Sequence, residues 1–271
     1  LFDPNETQKH EKARLMLIES ADKGDSFAMS YLGWCPWSGQ HGFTISPKSA
    51  EKRLKSATRF GNGWAFWLLG NLYAQKSPNM QKMAYDYWVQ AARRGHMQAF
   101  LTLAEFHLQR DADKHRRQGE AWLKLGADLA WPEAMVRLAT WYSVQKQTKK
   151  QVFWLQKAAK YQDVQGMRLL GRFLMETQDG DLLDPKEGFA WLVKVAKKGH
   201  TGALLDIVIA LKDGHGVEKD EKTARLILEK LSKNDNPDAD YNINVVTIPT
   251  SANENINVIG IINKYLRIYF I

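Results

Sequence analysis

A repeat of roughly 35 residues runs through most of the chain and constrains its fold more than any other feature. A small residue recurs in six aligned windows, and leucine or isoleucine follows it four positions later. One position further on comes a second small residue, or a valine in the last window. The first small residues are Ala28, Ala65, Ala99, Ala134, Gly166 and Ala203. Self-similarity at this period is typical of a solenoid, in which each repeat packs on its neighbours.

Each repeat indicates two helices. Helix A begins at the aligned small residue, and at about 100° per residue its apolar positions fall on one face. Small residues at its first and sixth positions would let a neighbouring helix approach, because larger side chains would overpack the contact. Helix B precedes helix A, with its own aligned residue 15 positions earlier, and it combines a bulky residue with a small pair, as Trp88 does with Ala91 and Ala92. Tryptophan at this helical spacing predicts core packing.

Residues at the predicted helix ends agree with these boundaries. Ser46 and Asp184 each precede a proline, which is the pattern of an N-cap followed by a first-turn proline. Asp184 with Glu187 predicts a capping box. Glycines follow helix B where a left-handed C-cap is expected, at Gly24, Gly61, Gly95 and Gly199.

The loop Asp213-Gly-His-Gly-Val217-Glu-Lys-Asp220 lies between two such helices. Residues 196–231 around it resemble the Sel1-like repeat, a relative of the tetratricopeptide repeat with an interhelical Gly-x-Gly-Val-x-x-Asp loop. The other windows keep the helical pattern, but they carry a variant of the Gly-x-Gly-Val-x-x-Asp loop or lack this loop. The resemblance covers roughly residues 10–240 and implies an all-α, right-handed α-solenoid of about six Sel1-like helix-turn-helix repeats.

The family resemblance also carries the functional expectation. Sel1-like proteins are adaptors and protein-binding scaffolds, and some are immunity proteins that block secreted antibacterial phospholipases of type VI secretion systems. The leading hypothesis is therefore an immunity or inhibitor protein that occludes a secreted effector such as a lipase. The alternative is a scaffold or adaptor in bacterial envelope assembly or signalling.

The pattern changes after residue 240, which predicts a repeat domain over 1–240 and a non-repeat tail over 241–271. Pro249 prevents a continuous helix through the tail. Apolar residues from Val258 to Phe270 then recur at helical spacing and predict a capping helix over 256–270, which covers the open end of the solenoid. The competing interpretation is a membrane-surface helix, for which Lys264 and Arg267 supply few basic residues.

No catalytic, cofactor or metal motif emerges from the sequence, so we predict a protein that is not an enzyme and needs no cofactor or metal. Cys35 has no flanking motif of a thiol enzyme. His96 and His200 both follow a C-cap glycine, and this recurrence favours a role in the turn. His107 and His115 lie too far apart for a His-x-x-x-His metal pair.

The formal net charge is +8 and the pI about 9.4. The cations recur near the ends of the B helices, where they complement the helix dipole, so nucleic-acid binding is not predicted. No apolar run reaches the roughly 18 residues of a membrane span. The chain begins at Leu1, from which we expect a removed leader and a periplasmic location, with a cytoplasmic one left open.

The predicted partner surface lies on the face of helix A opposite its apolar stripe. Three tryptophans would form an aromatic anchor, followed by a track that is rich in arginine and suits an acidic partner. The alternative is that the tryptophan rings pack against the next repeat. The predicted partner-binding residues are Trp34, Trp37, Trp67, Asn71, Glu105, Arg137, Arg168 and Arg172.

Overall fold

The computed structural model describes residues 4–38, 46–110 and 112–232, with side chains for 11–35, 46–110 and 112–231. Within these ranges all regular structure is helical, and a single 3-10 turn lies at Pro78–Met80. The predicted tail over 241–271, including the helix over 256–270, lies outside the described residues. The α-helices are α1 (Pro4–Asp22), α2 (Ser26–Ser38), α3 (Pro47–Thr58), α4 (Gly63–Lys76), α5 (Gln81–Arg93), α6 (Met97–Leu108), α7 (Asp113–Asp128), α8 (Pro132–Val144), α9 (Thr148–Lys160), α10 (Val164–Glu176), α11 (Pro185–Lys197), α12 (Thr201–Asp213) and α13 (Glu221–Ser232).

The chain divides into two compact units, residues 1–131 and 132–271. The first contains α1–α7 and the second α8–α13 among the described residues. Within each unit, helices that follow one another in sequence pack together. The most extensive pairs join a helix A to the helix B that follows it: α2 with α3, α4 with α5, α6 with α7, α8 with α9, and α10 with α11. The predicted all-α fold of helix-turn-helix repeats is confirmed.

The two small positions of helix A face different neighbours. A Cβ added at Gly33, the sixth position of its window, would lie 2.7 Å from Leu54 of the following helix B. A Cβ added at Gly166, a first position, would lie 2.6 Å from the Ala158 Cβ of the preceding helix B. The predicted close approach is therefore present on both sides of helix A.

Helix A is buried on more of its circumference than the sequence predicted. Leu68 lies on the face of α4 that the apolar stripe leaves open, yet it is completely buried, and Leu101 and Val136 are buried on the corresponding faces of α6 and α8. Leu68 is buried because α4 packs on three helices, α2, α3 and α5. A helix enclosed by three others is apolar nearly all round. The seventh position of the window stays more open, with Glu105 and Arg172 exposed.

The helix ends follow the predicted caps, with one difference. Ser46 Oγ accepts from the Ser49 N–H at 3.4 Å, and Asp184 Oδ1 accepts from the Glu187 N–H at 2.9 Å. The capping box is only half formed, because Glu187 Oε1 accepts from Trp191 Nε1 at 3.1 Å instead of reaching back to the backbone of Asp184. The four predicted C-cap glycines have φ between 73° and 95°, in the left-handed region.

Ala130 stands where other repeats carry the C-cap glycine, and its φ is 60°. Left-handed backbone costs a residue with a Cβ roughly 1–2 kcal/mol. We therefore expect Ala130→Gly to raise the free energy of unfolding by about 1 kcal/mol in urea denaturation. Ala74→Gly, at an exposed position inside α4, is the matched control and should lower it by about 0.5–1 kcal/mol. A loss of stability in Ala130→Gly would contradict the assignment.

Candidate partner-binding surface

Four aromatic rings from two neighbouring A helices, α2 and α4, form a continuous cluster in the first unit. We call Phe27, Tyr31, Trp34 and Trp64 the aromatic surface. The ring centroids of Phe27 and Trp64 are 4.9 Å apart, those of Tyr31 and Trp34 5.5 Å, and those of Tyr31 and Trp64 6.3 Å. Phe27 is 62% exposed. An exposed ring held by other rings is an apolar feature that a protein partner can cover.

Helix caps bring this surface together. Asp25 Oδ1 accepts from the N–H groups of Phe27 and Ala28, at 2.8 and 3.2 Å, and so begins α2. The hydrogen bond from the Ala28 N–H also contributes most to lowering the pKa of the Asp25 carboxyl. Asn62 caps α4 in the same way, accepting from the Ala65 N–H at 3.1 Å, and its Nδ2 donates to Ser26 Oγ at 3.2 Å. This bond joins the beginnings of the two helices, directly beside the Phe27–Trp64 contact.

Of the three predicted tryptophans, Trp34 belongs to the aromatic surface. Its ring is half-buried and also packs against the core of the first unit. Trp67 is engaged elsewhere: its Nε1 donates to Thr102 Oγ1 in α6 at 2.9 Å, and its ring lies 5.4 Å from that of His96. This contact with the next repeat is the alternative that the sequence left open. Trp37 lies in α2, and its side chain is outside the described residues.

Sequence reasoning missed Phe27, Tyr31 and Trp64. Phe27 and Trp64 share one signal that could have revealed them, since both stand one position before the aligned small residue. The repeat therefore places them on equivalent faces of adjacent A helices. Asn71, which was predicted for the surface, accepts from Trp88 Nε1 at 2.9 Å and so holds a helix B ring in place. Glu105 is exposed on α6.

In the second unit, the predicted arginine track includes carboxylates. Arg168 Nε lies 2.5 Å from Asp206 Oδ2, and Arg168 Nη2 lies 3.2 Å from Asp206 Oδ1. The two residues therefore form a bidentate ion pair. Only 10% of the Asp206 side chain is exposed. Arg172 is more open: its nearest carboxylate oxygen is Glu176 Oε2, at 3.5 Å. Arg137 is also exposed. Asp206 therefore offsets the charge of Arg168, whereas the side chains of Arg137 and Arg172 are exposed to solvent.

Arg172 also borders a groove of about 600 Å³ among α8, α9 and α10. Lys146 and Glu176 line the same groove, together with hydroxyl and amide side chains over an apolar floor. The polar lining consists of Thr140, Ser143, Thr148, Gln151, Thr177 and Gln178. Such a mixed lining can bind the backbone and polar side chains of a peptide segment.

Three of the four histidines singled out in the sequence have side-chain hydrogen-bond partners in the structure. His200 caps α12, its Nδ1 accepting from the Ala203 N–H at 3.3 Å. His96 holds the same position before α6 but makes no side-chain cap bond; its Nε2 is buried without a hydrogen-bond partner among the described residues, and burial lowers its pKa. His107 and His115, separated in the sequence, meet across two helices, with 3.2 Å between their Nδ1 atoms. Residues 11–35, 46–110 and 112–231 hold no cluster of three or more His, Cys, Asp or Glu side chains suited to a metal ion.

In the part of the chain that the structure describes, none of the helices combines the length and the apolar composition needed to cross a bilayer.

Comparison with known proteins identifies solved structures that share this fold. No protein-family model matches the sequence, and no curated protein matches it significantly. A Sel1 repeat protein from Oxalobacter formigenes aligns with a TM-score of 0.64 and 17% identity, over 83% of this chain and 95% of its own. A protective antigen of uropathogenic Escherichia coli strains, which displays an SLR fold, aligns with a TM-score of 0.62 and 19% identity, over 90% of this chain. The alignment covers 61% of that antigen's length.

These likenesses confirm the fold that the loop and the repeat period predicted, a Sel1-like, tetratricopeptide-related repeat. An immunity protein from Pseudomonas aeruginosa aligns at 16% identity over 72% of this chain and 83% of its own, with a TM-score of 0.46. A score at that level carries no argument about this chain.

Proposed function

We propose that this protein works by binding another protein through the aromatic surface, without catalysing a reaction. The observation that carries the proposal is the exposed Phe27 ring, held 4.9 Å from Trp64 on the neighbouring A helix. Aromatic side chains dominate the binding energy of many interfaces. A repeat fold suits this role, because stacked repeats present an extended surface.

In its finer form, the proposal is an immunity or inhibitor protein that occludes a secreted antibacterial effector, such as a type VI phospholipase, in the periplasm. The support for it is the Sel1-like resemblance together with charge. The chain carries a net charge of +8, and Arg137 and Arg172 are exposed on helix A. A basic surface accelerates encounter with an acidic effector.

A scaffold in envelope assembly or signalling is the second candidate. The polar groove lined by Lys146 and Arg172 favours it, since that groove differs chemically from the aromatic surface. A scaffold binds more than one partner, and two chemically different surfaces would serve different segments.

The test begins with capture of partners by tagged protein from lysate of the source cells, followed by titration of the captured protein's activity. An inhibitor should retain one hydrolase at near 1:1 stoichiometry and abolish its activity at that ratio. Several envelope proteins retained at lower occupancy, with no activity lost, would support the scaffold and overturn the inhibitor. Fractionation of the same cells tests the periplasmic location.

Phe27→Ala should weaken partner binding strongly. Truncation of an aromatic hot spot costs about 2 kcal/mol, which is about a 30-fold rise in Kd by calorimetry. Phe60→Ala is the matched control, because Phe60 is 58% exposed and Phe27 62%. It should leave Kd within about twofold, as expected for a residue outside the contact. Equal effects of the two substitutions would show that the aromatic surface is not the binding site.

A further inference from the structure

His107 and His115 face each other across the packed helices α6 and α7. Their Nδ1 atoms are 3.2 Å apart, their ring centroids 5.4 Å apart, and their planes differ by 25°. The centroid distance exceeds the nitrogen distance by about the sum of the two centroid-to-nitrogen spacings, so the nitrogens point at each other. This is the geometry of an N–H···N hydrogen bond between two imidazoles.

A third helix completes the arrangement around His107. Its Nε2 lies 3.4 Å from the Tyr85 hydroxyl of α5, and only 4% of the residue is exposed. A phenol hydroxyl can donate or accept, so His107 satisfies both ring nitrogens when the pair carries no charge or a single proton charge. When both rings are charged, an N–H on each Nδ1 faces an N–H, and the bond between the helices is lost.

The surroundings of His107 oppose that second charge. Tyr85 faces it from α5, the Arg110 guanidinium acts on it from the turn that follows α6, and His115 faces it from α7. Burial is the largest cause that lowers the pKa of His107, and the positive charges of His115 and Arg110 lower it further. Arg110 is held in place, since its guanidinium lies 3.8 Å from the centroid of the Phe106 ring.

We propose that His107 and His115 form a proton-sensitive contact, which holds α6 against α7 while at most one ring is charged and releases them when both are. The proposal does not depend on the identity of a partner. A group whose folded-state pKa lies below its unfolded value stabilises the fold above the unfolded pKa, which is about 6.5 for histidine. That stability is lost as the pH falls through the lowered folded-state pKa of His107.

Amide hydrogen exchange of the full chain, corrected for intrinsic rates, tests the contact. In the wild type, the opening equilibrium constant of α6 and α7 should rise about tenfold or more between roughly pH 7.5 and 5.5. In His115→Gln, which removes one charge and keeps an amide able to hydrogen-bond, the rise should stay below about threefold. His200→Gln, a substitution of another half-buried histidine, should behave as the wild type.

A second readout separates this role from ordinary packing. By NMR, the pKa of His107 should rise in His115→Gln, because a neighbouring positive charge is gone. An unchanged His107 titration in that variant, or an equal pH response of wild type and variant in exchange, would overturn the proposal.

Discussion

Gly188→Val is expected to destabilise the second unit by about 3 kcal/mol, because the substitution overpacks a contact between two helix backbones. A Cβ added at Gly188 would lie 2.6 Å from the Gly171 carbonyl oxygen and 3.2 Å from the Met175 nitrogen. Both belong to the backbone of α10, which cannot rotate aside as a side chain could. The helices must therefore separate, and the buried residues between them lose contact.

Chemical denaturation monitored by circular dichroism measures this loss. The matched control is Gly180→Val, since a Cβ at Gly180 meets nothing within 4 Å. We expect that variant to stay within about 0.5 kcal/mol of the wild type, as surface substitutions usually do. If the two variants lost equal stability, the close approach of α10 and α11 would not be the cause.

The second large effect is expected when Arg168 is removed. Arg168→Met leaves the Asp206 carboxylate, 10% exposed, with only the distant Arg172 Nε at 3.9 Å. Removing one partner of a buried pair costs about 3–5 kcal/mol. Because 22% of the Arg168 side chain is exposed, solvent reduces this cost, and we expect a loss of about 2 kcal/mol.

A double-mutant cycle separates the pair from its surroundings. Arg168→Met with Asp206→Leu should recover most of the stability, since neither charge is then stranded. Arg172→Met should cost less than about 0.5 kcal/mol, because its ion pairs are long, at 3.5 and 3.9 Å, and 44% of its own side chain is exposed. If the losses of the two single variants simply added in the double variant, the ion pair would not be the source of the effect.

Much of the repeat architecture was predictable, because its signals are local or recur at a fixed interval. Gly95 and Gly199 end their helices in the left-handed conformation that their place in the repeat predicts. Gly33 and Gly166 allow the close helix contacts that small residues at those positions indicate. Each of these features follows from the angle at which a side chain leaves one helix, or from the φ that one residue can adopt.

The partner surface was less predictable, because it depends on which side chains of different helices meet. Trp34 and Trp67 lie on the same predicted face of helix A, yet one joins the aromatic surface and the other donates to Thr102. Arg168 resembled a free cation until Asp206, 38 residues away, was found beside it. The helical periodicity of one segment does not predict which charged side chain of a neighbouring helix lies opposite it.

The sequence by itself determined the all-α repeat, the C-cap glycines and the small residues at the helix contacts, because helical periodicity and backbone preferences act over a few residues. It placed the start of each helix A at the aligned small residue, two positions after the start that the structure shows. Only the tertiary structure decided that Leu68 is enclosed, that Phe27 rests on Trp64, and that His107 meets His115. Those outcomes depend on the rotation and spacing of neighbouring helices. The packing of the whole repeat sets the rotation and the spacing of these helices, and no single window of the sequence predicts either.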